Sequence, residues 1–246
     1  MFSLLGLRSQ PFWTSPNNHT TSGSARDRVA YGDEYVAEVV EKLEGSFEDI
    51  RSEYMSAIMG ISDGEKAVNT KLLEGDYDSG GSGGSEHSGA LHKGTWDWHS
   101  YVQNGVRKDG FKDLCPKTAS AVDGLGTKLF TTPFSFAFFS TLHPNSSIQP
   151  HSSAMNLRLR VHLPLIVPGE WEDVEKVGLE CGGSRRVWEE GKAVVLDDSY
   201  VHRVWNNTEE TRVVLLVDIW HPDVSGEERK STEEMWDYSR SMGWMK

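Results

Sequence analysis

The residues best suited to chemistry stand at alternate positions of one short run, Asn156-Leu157-Arg158-Leu159-Arg160-Val161-His162-Leu163-Pro164-Leu165. Successive side chains of an extended strand point to opposite faces, so Arg158, Arg160 and His162 share one face and Leu157, Leu159, Val161 and Leu163 the other. Two readings are open. The cationic face is turned to water, or it lines the lumen of a small barrel whose apolar face is packed outside. The run sits among strongly apolar segments, which raises the second. Two arginines and a histidine facing inward need anions, because unpaired buried charge is very costly. A ligand with carboxylates is the obvious source.

The flanking sequence supplies further groups. His151 lies seven residues before Arg158, after the turn-forming run His143-Pro144-Asn145-Ser146-Ser147, and His202 lies 51 residues beyond His151. Arg212 follows His202 by ten residues and opens Arg212-Val213-Val214-Leu215-Leu216-Val217-Asp218-Ile219-Trp220-His221-Pro222. Two widely spaced histidines followed by an arginine suit an iron and oxoacid site, since imidazoles bind Fe(II) and leave positions for cosubstrate and oxygen. At these residues the stretch from Ser140 to Pro222 closely resembles the aspartyl/asparaginyl β-hydroxylase catalytic domain. The matching pieces are Ser140, His143-Pro144, Pro150-His151, the run Asn156 to Leu163, Gly191-Lys192, Asp197-Asp198-Ser199, His202, Val204-Trp205, Arg212 and Val217 to Pro222. The likeness continues weakly upstream, through Gly6-Leu7, Pro11-Phe12-Trp13 and Cys115-Pro116-Lys117-Thr118.

The resemblance implies a double-stranded β-helix, a jelly-roll or cupin-like barrel that is mainly β with flanking α-helices. It implies a dioxygenase using Fe(II), 2-oxoglutarate and O2. His151 and His202 match the metal ligands, and Arg212 and Ser140 the groups holding the distal carboxylate of 2-oxoglutarate. Arg160 and His162 match the pair near its other carboxylate, and Arg158 a contact to a substrate carboxylate. The catalytic set is therefore His151, His202 and Arg212. Arginine forks suit carboxylates, and a serine hydroxyl adds a further hydrogen bond. A usual His-x-Asp/Glu motif would place a carboxylate at position 153, where Ser153 stands. The family likewise lacks it, and water is taken to fill the gap. Asp197 and Asp198 are the candidate substitutes in the sequence and are not expected to bind the metal. The expected reaction hydroxylates an unactivated carbon, the β-carbon of an Asp- or Asn-like side chain in a peptide or small molecule with a carboxylate or amide group. A non-catalytic cupin-like module that binds metal or oxoacid is the alternative from another class, and an iron-dependent halogenase, suggested by Ser153, stands behind it.

A single histidine among nine is more often a surface or core residue than a ligand, so these roles rest on conjunction and on the family likeness. His143 before Pro144 reads as a turn residue, His221 before Pro222 as a strand end, and Cys115 and Cys181 as buried free thiols whose pairing is left open. With 25 Lys and Arg against 37 Asp and Glu, net charge −12, the chain is a poor match for nucleic acid or an anionic membrane surface. No run approaches the roughly 18 apolar residues of a membrane-spanning helix. The opening Met1 to Arg8 is too short an apolar stretch for a signal peptide, so a cytoplasmic protein is expected, with no nucleic-acid partner and no readable oligomeric state.

The positioning elements follow from periodicity. Val36, Val39, Val40, Leu43, Phe47, Ile50, Tyr54 and Ile58 make one helical stripe, with Asp33 as its cap, Gly60 as its stop and Gly45 weakening or bending its middle. Residues 75–89 are rich in Gly and Ser and read as a flexible loop. Trp96-Asp97-Trp98-His99-Ser100-Tyr101 reads as core or as the wall of a substrate mouth. Strands are expected over Phe134 to Leu142, Asn156 to Val167, Ala193 to Leu196 and Arg212 to Trp220. Ser231-Thr232-Glu233-Glu234 fits a capping box opening a last short helix. The whole is expected to be one catalytic domain, with a helical or irregular part over 1–128, the β-helix core over 129–222 and a C-terminal helix over 223–246.

Overall fold

A computed structural model describes residues 3–14, 29, 33–62, 65–66, 73–75, 91–169 and 173–244. Helix α1 (Glu34–Gly45) is capped as expected, the Asp33 carboxylate accepting from the backbone N–H of Val36, and buries Val36, Val39, Val40 and Leu43. The stripe does not make one helix. It breaks at Ser46 (φ −103°, ψ 6°), and α2 (Phe47–Ala57) resumes to bury Ile50 and Tyr54. The break follows Gly45, whose backbone freedom makes it the weak point of a helix. Helices α3 (Asp109–Leu114) and α4 (Pro116–Asp123) follow.

A short hairpin of β1 (Ile61–Ser62) and β2 (Glu65–Lys66) stands apart from two larger antiparallel sheets. These contain β3 (His92–Lys93), β4 (Trp96–Gln103), β5 (Val106–Arg107), β6 (Phe136–Leu142), β7 (Ser146–His151), β8 (Arg158–Ile166), β9 (Val177–Cys181), β10 (Ser184–Arg186), β11 (Val194–Leu196), β12 (His202–Asn206) and β13 (Arg212–Trp220). One sheet has the order β11-β8-β13-β6-β4-β5, the other β10-β9-β12-β7-β3. This is the expected double-stranded β-helix with flanking helices. The sheets take in β3 to β5, however, so the barrel begins well before residue 129. The chain changes sheets at Gly94 (φ +75°), where a Cβ would lie 2.2 Å from the Ser146 hydroxyl oxygen, so only glycine fits the crossing.

Alternation divides the large sheet cleanly. Leu159, Val161, Leu163 and Leu165 of β8 and Val213, Leu215, Val217 and Ile219 of β13 pack with Val36, Leu43, Ile50 and Tyr54 in the core under the helices. The opposite face, with Phe138, Leu142, Val214 and Leu216, meets Ile148, Leu179 and Val204 of the small sheet inside the barrel. The cationic face of β8 therefore points into the lumen.

The last helix, α5 (Gly226–Ser241), does not start at Ser231. Its capping box is Ser225 and Glu228, and Thr232 lies inside it with its hydroxyl bonded back to the Glu228 carbonyl at 2.7 Å. Both stretches fit the pattern, and the helix takes the earlier one. Cys115 and Cys181 are both free and buried. Residues 76–89 of the Gly/Ser-rich stretch lie outside the described residues. Among the described residues no helix is long and apolar enough to cross a membrane.

Candidate active site

A cavity of ≈ 190 Å³ opens between the sheets, and His151, His202, Arg212, Ser140, Arg160, His162 and Arg158 all line it. Its apolar wall is formed by Trp96, Trp98, Phe136 and Phe138, with Trp98 stacked on Phe138 at 4.3 Å and edge-on to Trp96 at 5.0 Å. Trp96 and Trp98 thus wall the site, while Tyr101 belongs to the core under the helices.

The histidines meet through a register irregularity. Val204 pairs with Ile148 and His202 with His151, so two steps on β12 are matched by three on β7. Ile148 faces the lumen, and strict alternation would turn His151, three residues on, outward. The extra residue on β7 restores the inward direction. Pro150, which has no N–H to lend a ladder, lies within it. The two rings stand 4.1 Å apart between centroids. Nδ1 of His151 donates to the Gln149 carbonyl at 2.7 Å, and Nδ1 of His202 to the Tyr200 carbonyl at 3.0 Å. Each bond assigns the proton to Nδ1 and leaves the Nε2 lone pair free, as a metal ligand requires.

Burial also keeps these rings neutral. It is the first cause lowering the pKa of His151, His162 and His202, and it pushes His202 from the ordinary 6.5 to about 4, with the His151 charge next. A group whose folded pKa is depressed contributes stability in full above its unfolded pKa and loses it as pH falls toward the folded one. The urea midpoint of the metal-free protein is therefore expected to drop between pH 6.5 and about 4. A midpoint flat across that window would show that the rings take up protons freely in the folded state.

The anions required by the cationic strand are partly the chain's own. Arg158 bonds Asp198 and Asp218 at 2.8 Å each, and Arg160 bonds Asp218 through Nε at 2.9 Å and approaches Asp198 at 3.3 Å. Asp218 also accepts from the backbone N–H of Phe136 at 3.0 Å. The Arg158 and Arg160 charges hold the Asp198 carboxyl down at about 2 despite its burial. Breaking such a buried cluster by deleting one partner leaves charge uncompensated and costs about 3–5 kcal/mol. Asp218→Ala should lose about that much in urea unfolding. A loss under about 1 kcal/mol, the scale of exposed pairs, would mean that water screens the cluster.

Arg212 stands apart. It is 1% exposed, its Nε has no hydrogen-bond partner, and its contacts to Ser140 are long, 3.3 Å to the carbonyl and 3.4 Å to the hydroxyl. No carboxylate pairs with it among the described residues. Burial pulls its pKa from 12.5 to about 9, still above neutral, so the side chain remains a cation. The Ser140 hydroxyl also accepts from Trp96 Nε1 at 2.8 Å, leaving its own proton to donate. A cation and a hydroxyl so arranged fit one carboxylate.

Asp197 accepts from the Ser199 N–H, and Asp198 is held through Oδ2 by Arg158 and Arg160, so each carboxylate already has a structural partner. Among the described residues no group of three or more His, Cys, Asp or Glu is placed to hold a metal; the histidine pair is the donor set beside the cavity. The Ser153 hydroxyl bonds Arg158 at 3.4 Å. His143 pairs with Asp97 at 2.6 Å, and His221 donates from Nε2 to the Arg8 carbonyl at 3.0 Å while its Nδ1 accepts from the Asp223 N–H at 3.1 Å, so both serve structure. Sequence reasoning missed Asp218 as a counterion, although it stands an even number of residues from Arg212 in an apolar strand and shares its inward face. It also gave no signal for Trp188, which lies in no regular element and whose ring centre stands 4.9 Å from the Arg212 guanidinium carbon.

The aspartyl/asparaginyl β-hydroxylase family model matches residues 44–222. The human protein named aspartyl/asparaginyl beta-hydroxylase is 27% identical over 231 residues, covering 94% of this chain and 25% of its own length. Aspartate beta-hydroxylase domain-containing protein 2 of Xenopus tropicalis is 30% identical over 199 residues, covering 80% of this chain and 48% of its own. The chain thus spans between a quarter and a half of these two relatives. A Pseudomonas putida prolyl-4-hydroxylase structure aligns at TM-score 0.33 and 16% identity, over 54% of this chain and 74% of its own. A likeness that loose bears on neither reaction nor substrate.

Proposed function

Because the chain belongs to the aspartyl/asparaginyl β-hydroxylase family, we propose that it is an Fe(II)- and 2-oxoglutarate-dependent dioxygenase hydroxylating an unactivated carbon, the β-carbon of an Asp- or Asn-like side chain in a peptide or small molecule. One observation carries this reading: two neutral histidines with free Nε2 lone pairs share a cavity with a buried arginine that lacks an anion. The donor set fits Fe(II), and the unpaired cation fits a dicarboxylate.

His151 and His202 would hold the metal, each ring fixed by its backbone carbonyl. Arg212 and Ser140 would hold the distal carboxylate of 2-oxoglutarate, and Arg160 and His162 would face the other. When bound, the metal with 2-oxoglutarate and O2 supplies the oxidation: one oxygen atom enters a C–H bond and 2-oxoglutarate leaves as succinate and carbon dioxide. The residues bind, orient and exclude water. Trp96, Trp98, Phe136 and Phe138 keep one wall dry, which strengthens each charge interaction inside. Asp198 keeps Oδ1 without a partner and can accept from water beside the histidines.

Arg158 remains the proposed substrate contact, with a constraint. Its terminal nitrogens already bond Asp198, Asp218, the Ser153 hydroxyl and the Phe134 carbonyl. A substrate carboxylate must share or displace one of these, which favours a group that arrives already oriented.

The test is incubation with Fe(II), 2-oxoglutarate, O2 and peptide and metabolite libraries carrying Asp and Asn groups. Succinate formed in step with a product heavier by one oxygen atom is the expected result. Tight 2-oxoglutarate binding with no turnover on any substrate would favour a non-catalytic module, and a halogenated product in chloride or bromide would favour the halogenase.

A further inference from the structure

We propose that Trp188 is a positioning residue for the cosubstrate: its indole backs both the Arg212 guanidinium and the His162 ring, setting the spacing of the two groups that face the two ends of one dicarboxylate. This rests on reading the cavity as a 2-oxoglutarate site.

The argument starts from what hydrogen bonds leave undone. Arg212 touches Ser140 only through two long contacts and has no partner at Nε. Two bonds near the outer limit cannot fix the plane of a guanidinium, yet a fork must be aimed to accept a carboxylate bidentately. Packing has to supply the orientation. The guanidinium carbon lies 4.9 Å from the centre of the Trp188 ring. The same indole lies 6.2 Å from the His162 ring at 31°. His162 has its own unpartnered Nδ1 and lines the cavity with Arg212. One rigid aromatic plate thus touches both residues from behind, and Trp188 itself is 0% exposed. The ring face offers partial negative charge to the cation, offsetting burial without consuming any N–H that the ligand needs.

The plate is itself held. Glu189 bridges to Lys192, the Gly191 N–H donates to the Pro164 carbonyl of β8 at 2.9 Å, and a Cβ on Gly191 (φ +73°) would stand 3.2 Å from Phe47 of α2. Trp188 is therefore tied to the strand that carries His162, and through it to the helix layer.

The measurement is isothermal titration of 2-oxoglutarate into the Fe(II) protein without oxygen, beside steady-state kinetics. Trp188→Leu should weaken 2-oxoglutarate binding about tenfold to thirtyfold, the scale of a desolvated cation–π contact. Trp188→Phe, which keeps a ring face, should lose about threefold. KM for 2-oxoglutarate should rise in step while kcat at saturation and KM for substrate hold. In an Arg212→Ala background the leucine change should add less than about twofold, because contacting residues are coupled. Should the leucine variant fail to fold, the phenylalanine variant and its cycle with Arg212→Ala carry the test. A wild-type affinity in the variants, or an undiminished loss in the Arg212→Ala background, overturns the role of Trp188 and leaves the reading of the site intact. Failure of the wild-type protein to bind 2-oxoglutarate overturns that reading first.

Discussion

Substrate-dependent succinate formation disappears in His151→Ala and in His202→Ala, while each variant still folds. Under the proposed reading these rings are the two protein donors to the metal, and no carboxylate at position 153 buffers the loss. Changes to groups that merely orient a ligand cost about 10- to 100-fold in metal affinity or activity, so deleting a ligand should exceed about a hundredfold. The fold should persist because each ring's internal hydrogen bond runs to a carbonyl two residues back on its own chain segment. No sheet pairing depends on the side chain. Succinate assays with circular dichroism and metal content on the same samples check this. Turnover near the wild-type rate in either variant, with iron retained, would remove the residue it replaces from the metal site.

How far that site was legible in the sequence depends on the kind of signal. The cationic face of β8 could be read directly, because period-two alternation sorts Arg158, Arg160 and His162 from four apolar neighbours, whereas alternation alone left open whether that face meets water or the lumen. The same parity relates Arg212 to Asp218 and could have found the counterion. It was hidden by an apolar run that reads as a fully buried strand. His151 could not be placed by parity at all. Its inward direction depends on one extra residue in β7, and the only trace of that bulge in the sequence is Pro150. The strands β7, β9, β10 and β12 are short and carry polar residues on their outer faces, so they lack the apolar density that marks β8 and β13. The break between α1 and α2 was foreshadowed by Gly45. The roles of Ser140 and His162 came from family likeness, because a serine and a histidine in a strand carry no chemistry of their own until the lumen brings them beside Arg212.

The charge count of the cavity sharpens the expectation for Arg212. Asp198 and Asp218 are buried against Arg158 and Arg160, so that of the three arginines lining the cavity Arg212 is left without a carboxylate among the described residues. An anion that enters should gain most there, since its partner carries no competing bond to a carboxylate. A charge-assisted fork whose loss strands a buried anion is worth about 2–5 kcal/mol. At about 1.4 kcal/mol per decade, Arg212→Ala should raise the 2-oxoglutarate concentration for half-maximal turnover by roughly thirtyfold to a few thousandfold. Arg212→Lys should recover part of this. An ammonium restores the charge but presents a point donor in place of a planar fork, and it stacks less well on Trp188. The substrate's own KM should change little, because the distal carboxylate and the substrate contact different arginines. Titrating 2-oxoglutarate against each variant, with succinate and hydroxylated product followed together, separates these effects. An unchanged cosubstrate requirement in Arg212→Ala would mean that the distal carboxylate is held elsewhere, and the arrangement around Ser140 and Trp188 would then need another ligand to explain it.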